Sequence, residues 1–196
     1  MNTRRAEVHR VTGETDIAVT LTLDGAGTVE VSTGIGFLDH MLELFAHHGG
    51  FDLMVAAKGD LEVDGHHTVE DVGLALGRAL KDALGDKRGI RRYGSFLLPM
   101  DEALAMVVLD LSGRPCFVHD LQLAGVRIGA FDGDLTAHFW RSLSTQAGMT
   151  LHVRLLAGSD AHHIVEAVFK GVARALAEAC ERHGRGDAVP STKGTL

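Results

Sequence analysis

Hydrophobic positions alternate with polar or small ones in several short segments of the chain, which is typical of strands that bury one face. The first segment covers residues 17–23 (IAVTLTL), where Ile, Val and Leu occupy every second position. Asp24-Gly25 follows it and favours a hairpin turn before a strand at residues 28–32. A further strand is predicted at residues 51–57 (FDLMVAA).

Two long segments carry apolar residues every three or four positions, which is the spacing of a helix with one buried face. The first covers residues 67–84 and ends before Gly85, a residue type favoured just after the last helical turn. The second covers residues 161–182. Shorter helices are predicted at residues 36–48 and 135–146.

The predicted elements occur twice in the same order, because apolar strands at residues 102–111 and 149–157 surround the second short helix. Glu14 and Glu102 lead matching strands of the two series. Any α+β protein shows some alternation of this kind, so the strands and helices alone do not decide for a duplication.

Histidines cluster at corresponding places in the two series, and this favours a true duplication. His40 and His138 lie in the two short helices, and each long helix begins near a His-His-x-x-Glu motif. The motifs are His66-His67-x-x-Glu70 and His162-His163-x-x-Glu166. With 12 histidines in the chain, composition alone would produce this motif roughly 0.04 times.

We therefore expect an α+β fold that arose by internal duplication of one half-domain. Each half should contain a mainly antiparallel sheet covered by helices on one face. The first repeat is predicted at residues 1–90 and the second at residues 91–184, and together they should form one compact unit. Residues 185–196 would then be a C-terminal tail.

The motif spacing predicts metal binding. Histidine and glutamate three or four positions apart on a helix share a face, whereas His66 and His67 point about 100° apart and so favour two ions over one. With His40 and His138 the set offers three imidazoles and one carboxylate per ion. Two positions on an octahedral ion would stay open for a chelating substrate. Such ligands suit Mn, Fe, Co, Ni or Zn and do not choose among them.

Composition and charge exclude several classes of protein. The hydrophobic share of 45% is ordinary for a globular chain, and the net charge of −7 argues against a general nucleic-acid binder. Cys116 and Cys180 cannot form a disulfide framework. The first residues lack the apolar region of a secretory signal, and no apolar run is long enough to span a membrane. We expect a cytoplasmic protein that binds neither nucleic acid nor membrane.

Six segments carry a more specific pattern along nearly the whole chain. They are GIGFLDHMLELFAHHGGFDL, GDLEVDGHHTVEDVGLALGRAL, KRGIRRYGSFLLPMDEAL, DLSGRP, HVRLLAGSDAHHIVEAVFKGVARAL and PSTKGTL. In this order they resemble the imidazoleglycerol-phosphate dehydratase family. The resemblance implies a hydro-lyase of histidine biosynthesis that converts D-erythro-imidazole glycerol phosphate into imidazole acetol phosphate. It also implies two Mn²⁺ ions per active site that bind the substrate imidazolate, and trimers assembled into a 24-mer with sites at subunit boundaries.

The resemblance further implies roles for single residues. Glu14 would be the catalytic acid/base in a neighbouring subunit's site. The implied metal ligands are His40, His66, His67, Glu70, His138, His162, His163 and Glu166. The implied substrate and phosphate contacts are His48, Arg92, Arg114, Lys170, Ser191 and Lys193, the last two in the tail. The residues alone favour an exposed carboxylate at a strand start for Glu14, and Lys170 could equally be an ion-pair partner of Glu166.

Two other classes of protein remain open on the residues alone. A binuclear metallohydrolase would use two close ions to activate water, and we would then expect a bridging carboxylate. A histidine-rich metal store or sensor would leave Glu14 and the C-terminal PSTKG segment without a purpose.

Overall fold

The computed structural model describes residues 3–182, 188–194 and 196. Residues 1–2, 183–184, 185–187 and 195, which belong to the predicted repeats and tail, lie outside this part. In chain order the elements are β1 (Arg5–Val11), β2 (Thr15–Thr22), β3 (Val29–Ser32), α1 (Gly36–Gly49), β4 (Asp52–Gly59), α2 (His66–Leu84), β5 (Tyr93–Met100), β6 (Ala103–Asp110), β7 (Cys116–His119), β8 (Arg127–Ile128), β9 (Phe131–Asp132), α3 (Leu135–Ala147), β10 (Thr150–Ala157) and α4 (Ala161–Cys180).

Each half of the chain forms one four-stranded sheet. The strand orders are β1-β2-β4-β3 and β5-β6-β10-β7, and the short pair β8-β9 stands apart. In each four-stranded sheet two pairs are antiparallel and one pair, β3-β4 or β7-β10, is parallel. The predicted α+β fold, with two similar halves and mainly antiparallel sheets, is confirmed.

The predicted hairpin at Asp24-Gly25 is wrong. The strand that follows the turn, β3, pairs in parallel with β4, which lies between it and β2. The connection therefore crosses the start of β4, where the carboxylate of Asp52 accepts hydrogen bonds from the backbone N–H groups of Ala26 and Thr28. A side chain at Gly25 would place its Cβ only 2.3 Å from the backbone nitrogen of Asp52, so the crossing requires glycine there.

The helices form the layer between the two sheets. Helices α1 and α2 pack on the first sheet and α3 and α4 on the second, while α2 packs against α3 and α1 against α4. The aromatic rings of Phe139, Trp140 and Phe169 meet in this layer, with 4.6 Å between the ring centroids of Trp140 and Phe169. Apolar burial of this kind is the main favourable term in folding, and here it joins the two halves.

The first hairpins of the two halves have the same register. Val8 pairs with Val19 in β1-β2, and Phe96 pairs with Val107 in β5-β6. Glu14 and Glu102 consequently occupy the same position, one residue before the second strand of each hairpin. Among the described residues no helix has the length and apolar character needed to cross a membrane.

Candidate metal centre and active site

The tightest group of metal-binding side chains joins helix α1 to helix α4. His40 comes from α1, and His162 and Glu166 come from α4; one ligand atom from each lies within 4.8 Å of the others. The Glu166 carboxylate is 3.2 Å from Nε2 of His162 and 3.7 Å from Nε2 of His40. Ligand atoms bound to one ion at about 2.1 Å are separated by about 3–4 Å, so these residues fit a metal ion. We call them the first cluster.

The start of α4 explains how two of these ligands are presented. The carboxylate of Asp160 accepts hydrogen bonds from the backbone N–H groups of His162 and His163 and so caps the helix. His162 and Glu166 are then one helical turn apart on the same face. The ring of Phe37 packs edge-on against His162, with 5.2 Å between the ring centroids.

A second cluster joins α2 to α3 in the matching way. His66 and Glu70 lie one turn apart on α2, with 3.5 Å between Nε2 and the carboxylate, and the ring centroids of His66 and His138 are 4.6 Å apart. The group is wider than the first cluster, which is the one tight ligand group among the described residues. Each cluster therefore combines the motif of one half with the short-helix histidine of the other half.

The remaining motif histidines, His67 and His163, turn away from their neighbours. Each ring lies at 79° to the preceding histidine ring, with more than 6 Å between the centroids. Nδ1 of His67 is 2.9 Å from Asp60, and Nδ1 of His163 is 2.7 Å from Glu102. A carboxylate on Nδ1 orients an imidazole for metal binding through Nε2.

These carboxylate contacts change the protonation of both partners. The hydrogen bonds that the rings donate to Asp60 and Glu102 raise the pKa of His67 and of His163, respectively. The pKa of Glu102 falls to about 2, because the backbone N–H of Asp160, the ring of His163 and the backbone N–H of Ser159 all donate to it. The sequence pattern had indicated Glu102 only as the residue leading a strand, and nothing in it pointed to Asp60.

Both clusters open into one cleft of about 1050 Å³. Its lining includes His40 and His162 of the first cluster, His66 and His138 of the second, and Phe37. The cleft is large enough for a small phosphorylated molecule, given that ligand pockets commonly measure about 300–1,000 Å³.

Glu14 lies in the turn between β1 and β2, near the second cluster's helix. Its side chain is about half exposed, and its carboxylate is 3.7 Å from Nδ1 of His67. Among the described residues it does not belong to the tight group of possible metal ligands.

Two of the predicted substrate contacts lie beside the first cluster. Nζ of Lys170 donates a hydrogen bond to Glu166. Burial alone would raise the pKa of Glu166, but the hydrogen bonds and charges of Lys170 and His162 outweigh it and hold that pKa below its ordinary value. Burial, with a smaller contribution from the charge of Lys170, lowers the pKa of His48.

The other predicted phosphate contacts gather around Asp110. The Arg92 guanidinium binds both oxygens of Asp110, at 2.7 and 3.0 Å, and donates to the carbonyl of Pro190 in the tail. Arg114 lies 3.7 Å from the same carboxylate and is 69% exposed. Ser191 and Lys193 directly follow Pro190, so the tail runs along this basic group. The structure thus separates the six predicted contacts into two groups.

Comparisons with known proteins agree with one another. Residues 33–176 match the family model "Imidazoleglycerol-phosphate dehydratase". The chain is 56% identical over 193 residues to the imidazoleglycerol-phosphate dehydratase of Acetivibrio thermocellus, which covers 98% of this chain and 99% of that protein. It is 55% identical over 194 residues to that of Cereibacter sphaeroides, covering 98% of this chain and 100% of that protein.

Two solved structures are also similar. The crystal structure of imidazoleglycerol-phosphate dehydratase from Staphylococcus aureus has a TM-score of 0.82 and 36% identity, covering 91% of this chain and 99% of that one. The enzyme from Pyrococcus furiosus in complex with (S)-C348 has a TM-score of 0.83 and 38% identity, covering 96% and 100%.

Proposed function

This chain belongs to the imidazoleglycerol-phosphate dehydratase family and is a hydro-lyase of histidine biosynthesis, and we propose that it works with two divalent metal ions held by its histidine motifs. The reaction removes water from imidazole glycerol phosphate and yields imidazole acetol phosphate. The observation that carries the proposal is the convergence of His40, His162 and Glu166 on one point.

Mn²⁺ is the proposed metal because the family resemblance implies it, and the ligand set is compatible with that ion. The two clusters offer imidazole nitrogen and carboxylate oxygen and no thiolate, a set that also suits Fe, Co, Ni and Zn. When bound, the metal ions would act as Lewis acids and as a template for the imidazole ring of the substrate.

We propose that each cluster is completed by a histidine of another copy of the chain. Each cluster holds two imidazoles and one carboxylate, while His67 and His163 turn away and are oriented by Asp60 and Glu102. A third imidazole from a neighbouring subunit would give three nitrogens and one oxygen per ion. This arrangement agrees with an assembly of trimers into a 24-mer, and it makes metal binding and assembly mutually dependent.

Glu14 is the proposed acid/base. Loss of the hydroxyl from the imidazole-bearing carbon requires a proton to leave the neighbouring carbon, and the resulting enol becomes the ketone of the product. A carboxylate can accept that proton if it reaches hydrogen-bond distance in the complex. Glu14 suits this role because it is exposed beside His67, where it can enter a site shared with a neighbouring subunit.

The phosphate of the substrate is assigned to Arg92, Arg114, Ser191 and Lys193. Guanidinium groups bind phosphate oxygens in a fixed fork, and Arg114 can reach a ligand because its side chain is largely exposed and lies 3.7 Å from Asp110 on one side only. His48 and Lys170 would contact substrate beside the first cluster. Both cysteines are free thiols, as in a reducing compartment, and we place the enzyme in the cytoplasm.

Mass spectrometry of imidazole glycerol phosphate incubated with Mn-loaded or chelator-stripped protein tests the proposal. Loss of one water and formation of a ketone only with metal present is the expected result. Release of inorganic phosphate instead would favour a binuclear hydrolase. Metal analysis should find two ions per chain, and His162→Ala should lose about one of them while the Arg78→Ala control keeps both.

A further inference from the structure

The turn that carries Glu14 is tied to helix α2 by buried hydrogen bonds. Asp71 follows the predicted ligand Glu70, and it is only 6% exposed although it carries a charge. Its carboxylate accepts a hydrogen bond from the hydroxyl of Thr15 and another, at 2.8 Å, from Nε of Arg10. A buried carboxylate normally needs such partners, and here both come from the strands that flank Glu14.

Thr12 extends this network to the backbone of Glu14 itself. Its hydroxyl oxygen accepts hydrogen bonds from the backbone N–H groups of Glu14 and Thr15, at 3.1 and 3.0 Å, and lies 3.2 Å from the hydroxyl oxygen of Thr15. Since Thr15 donates its one proton to Asp71, Thr12 must donate to Thr15. The hydrogen bonds therefore run in one direction, from Thr12 through Thr15 to Asp71.

The matching hairpin of the second half has no such network. The corresponding positions hold Leu98, Met100, Ala103 and Ala167, none of which can form these bonds. The hairpin fold therefore does not require the network. Glu102 is held instead through its own carboxylate, which accepts hydrogen bonds from the backbone N–H groups of Ser159 and Asp160.

We infer that Thr12, Thr15 and Asp71 are positioning residues that set the location of Glu14 relative to the metal motif on α2. The inference rests on the acid/base role proposed for Glu14. Within the described part of the chain no backbone group donates a hydrogen bond to the Glu14 carboxylate, so the reach of this side chain is set by where the turn places its Cα. A misplacement of about 1 Å in a catalytic group can reduce the rate by about 100-fold.

Steady-state kinetics of the full-length, Mn-loaded assembly test the inference. Thr12→Val and Thr15→Val keep the side-chain shape but remove the hydroxyl. We expect kcat to fall by about 10- to 100-fold with KM, metal content and particle size unchanged. Thr12→Ser and Thr15→Ser should restore most of the turnover. Thr20→Val, on the same strand as Thr15, is the matched control, and it should behave like the natural protein.

A double-mutant cycle with Glu14→Gln, measured in single turnovers, shows whether the network acts through Glu14. If it does, Thr12→Val will add no further loss to Glu14→Gln. An equal loss in both backgrounds would mean a general structural effect and would overturn the inference. Natural turnover in Thr12→Val and Thr15→Val beside an inactive Glu14→Gln would also overturn it and leave the proposed function standing. Natural turnover in Glu14→Gln would remove the proposed acid/base and the inference with it.

Discussion

The two halves place a glutamate at the same point and use it differently. In the second half Glu102 binds Nδ1 of His163 and two backbone N–H groups, and its pKa is held at about 2. In the first half Asp60 takes over the hydrogen bond with the histidine, His67, and the Glu14 carboxylate lies 3.7 Å from the same ring nitrogen. A duplicated unit can thus keep an orienting carboxylate in both copies, while the glutamate of one copy remains available for the acid/base role that we propose for Glu14.

The long central helices of the two halves, α2 and α4, also differ in how they pack. Positions that are Gly73 and Gly77 in α2 correspond to Phe169 and Ala173 in α4. A Cβ on Gly77 would lie 2.4 Å from the carbonyl oxygen of Leu143, so α2 and α3 are in backbone contact. Phe169 instead fills the layer with an aromatic ring. The close α2–α3 crossing brings His138 of α3 beside His66 of α2.

Replacing Glu14 or Glu102 by glutamine should give the largest difference in turnover between the two halves. Glu14→Gln is expected to lower kcat by about 10²–10⁴-fold, because a positioned acid/base contributes that much. Glu102→Gln should retain turnover when metal is saturating, since Glu102 contacts His163, a proposed metal ligand, and has no proposed contact with the substrate. Rates are to be measured by product formation at several Mn²⁺ concentrations. Similar losses in both variants at saturating metal would contradict the division of roles.

For metal affinity the order of the two variants should be reversed, with the larger effect at Glu102→Gln and the smaller at Glu14→Gln. Glu102→Gln removes the charged partner of His163, and we expect binding of one ion to weaken by about 10- to 100-fold. Asp60→Asn should do the same through His67. Competition with a metal chelator measures both, with the exposed Glu30→Gln as the control. An unchanged affinity in either variant would mean that the carboxylate does not orient its imidazole for the metal.

Replacing Gly77 tests the helix comparison. Gly77→Ala should destabilise the protein by about 1–3 kcal/mol, because the added methyl group overpacks the contact with Leu143. The corresponding Ala173→Gly should cost about 1–2 kcal/mol, because it lowers helix propensity and removes one buried methyl group. Chemical denaturation of the two variants gives both values. If Gly77→Ala were stabilising, the close approach of α2 and α3 would have to be relaxed in solution.

The smallest effect is expected at the Arg4–Asp24 pair, which ties the first hairpin together and joins it to the carbonyl of Cys180 in α4. The hydrogen bond from Arg4 lowers the pKa of Asp24 in the folded state. The pair therefore stabilises the fold at pH values above about 3.9, the pKa of Asp24 in the unfolded state. This contribution is lost as the pH falls through the lowered pKa of Asp24 in the folded state.

Asp24→Asn should accordingly lose about 1 kcal/mol or less at pH 7, since the carboxylate is half exposed. The difference from the natural protein should shrink as the pH falls below the unfolded-state pKa and be lost below the lowered pKa of the folded state, whereas Glu30→Gln should show no such dependence. Denaturation at pH 7 and at a series of acidic pH values measures the effect. A difference that persists at low pH would mean that Asp24 acts through its shape and not its charge.

The sequence by itself determined the local features of this protein. Hydrophobic residues that repeat every two positions located β2, β4, β6 and β10, and those that repeat every 3.6 positions located all four helices. These repeats arise because a strand or a helix buries one of its faces. The edge strands β1 and β5 were not predicted. In β1 the sequence RAEVHRV alternates weakly between polar and apolar, and no position in that strand is fully buried.

Only the tertiary structure decided which histidines share a cluster. His40 and Glu166 lie in opposite halves, and their contact depends on the packing of α1 on α4, a layer arrangement that spacing along the chain does not encode. The strand order that placed β4 between β2 and β3 was decided in the same way. Local patterns reflect the geometry of a single element, whereas these contacts depend on how elements from distant parts of the chain pack together.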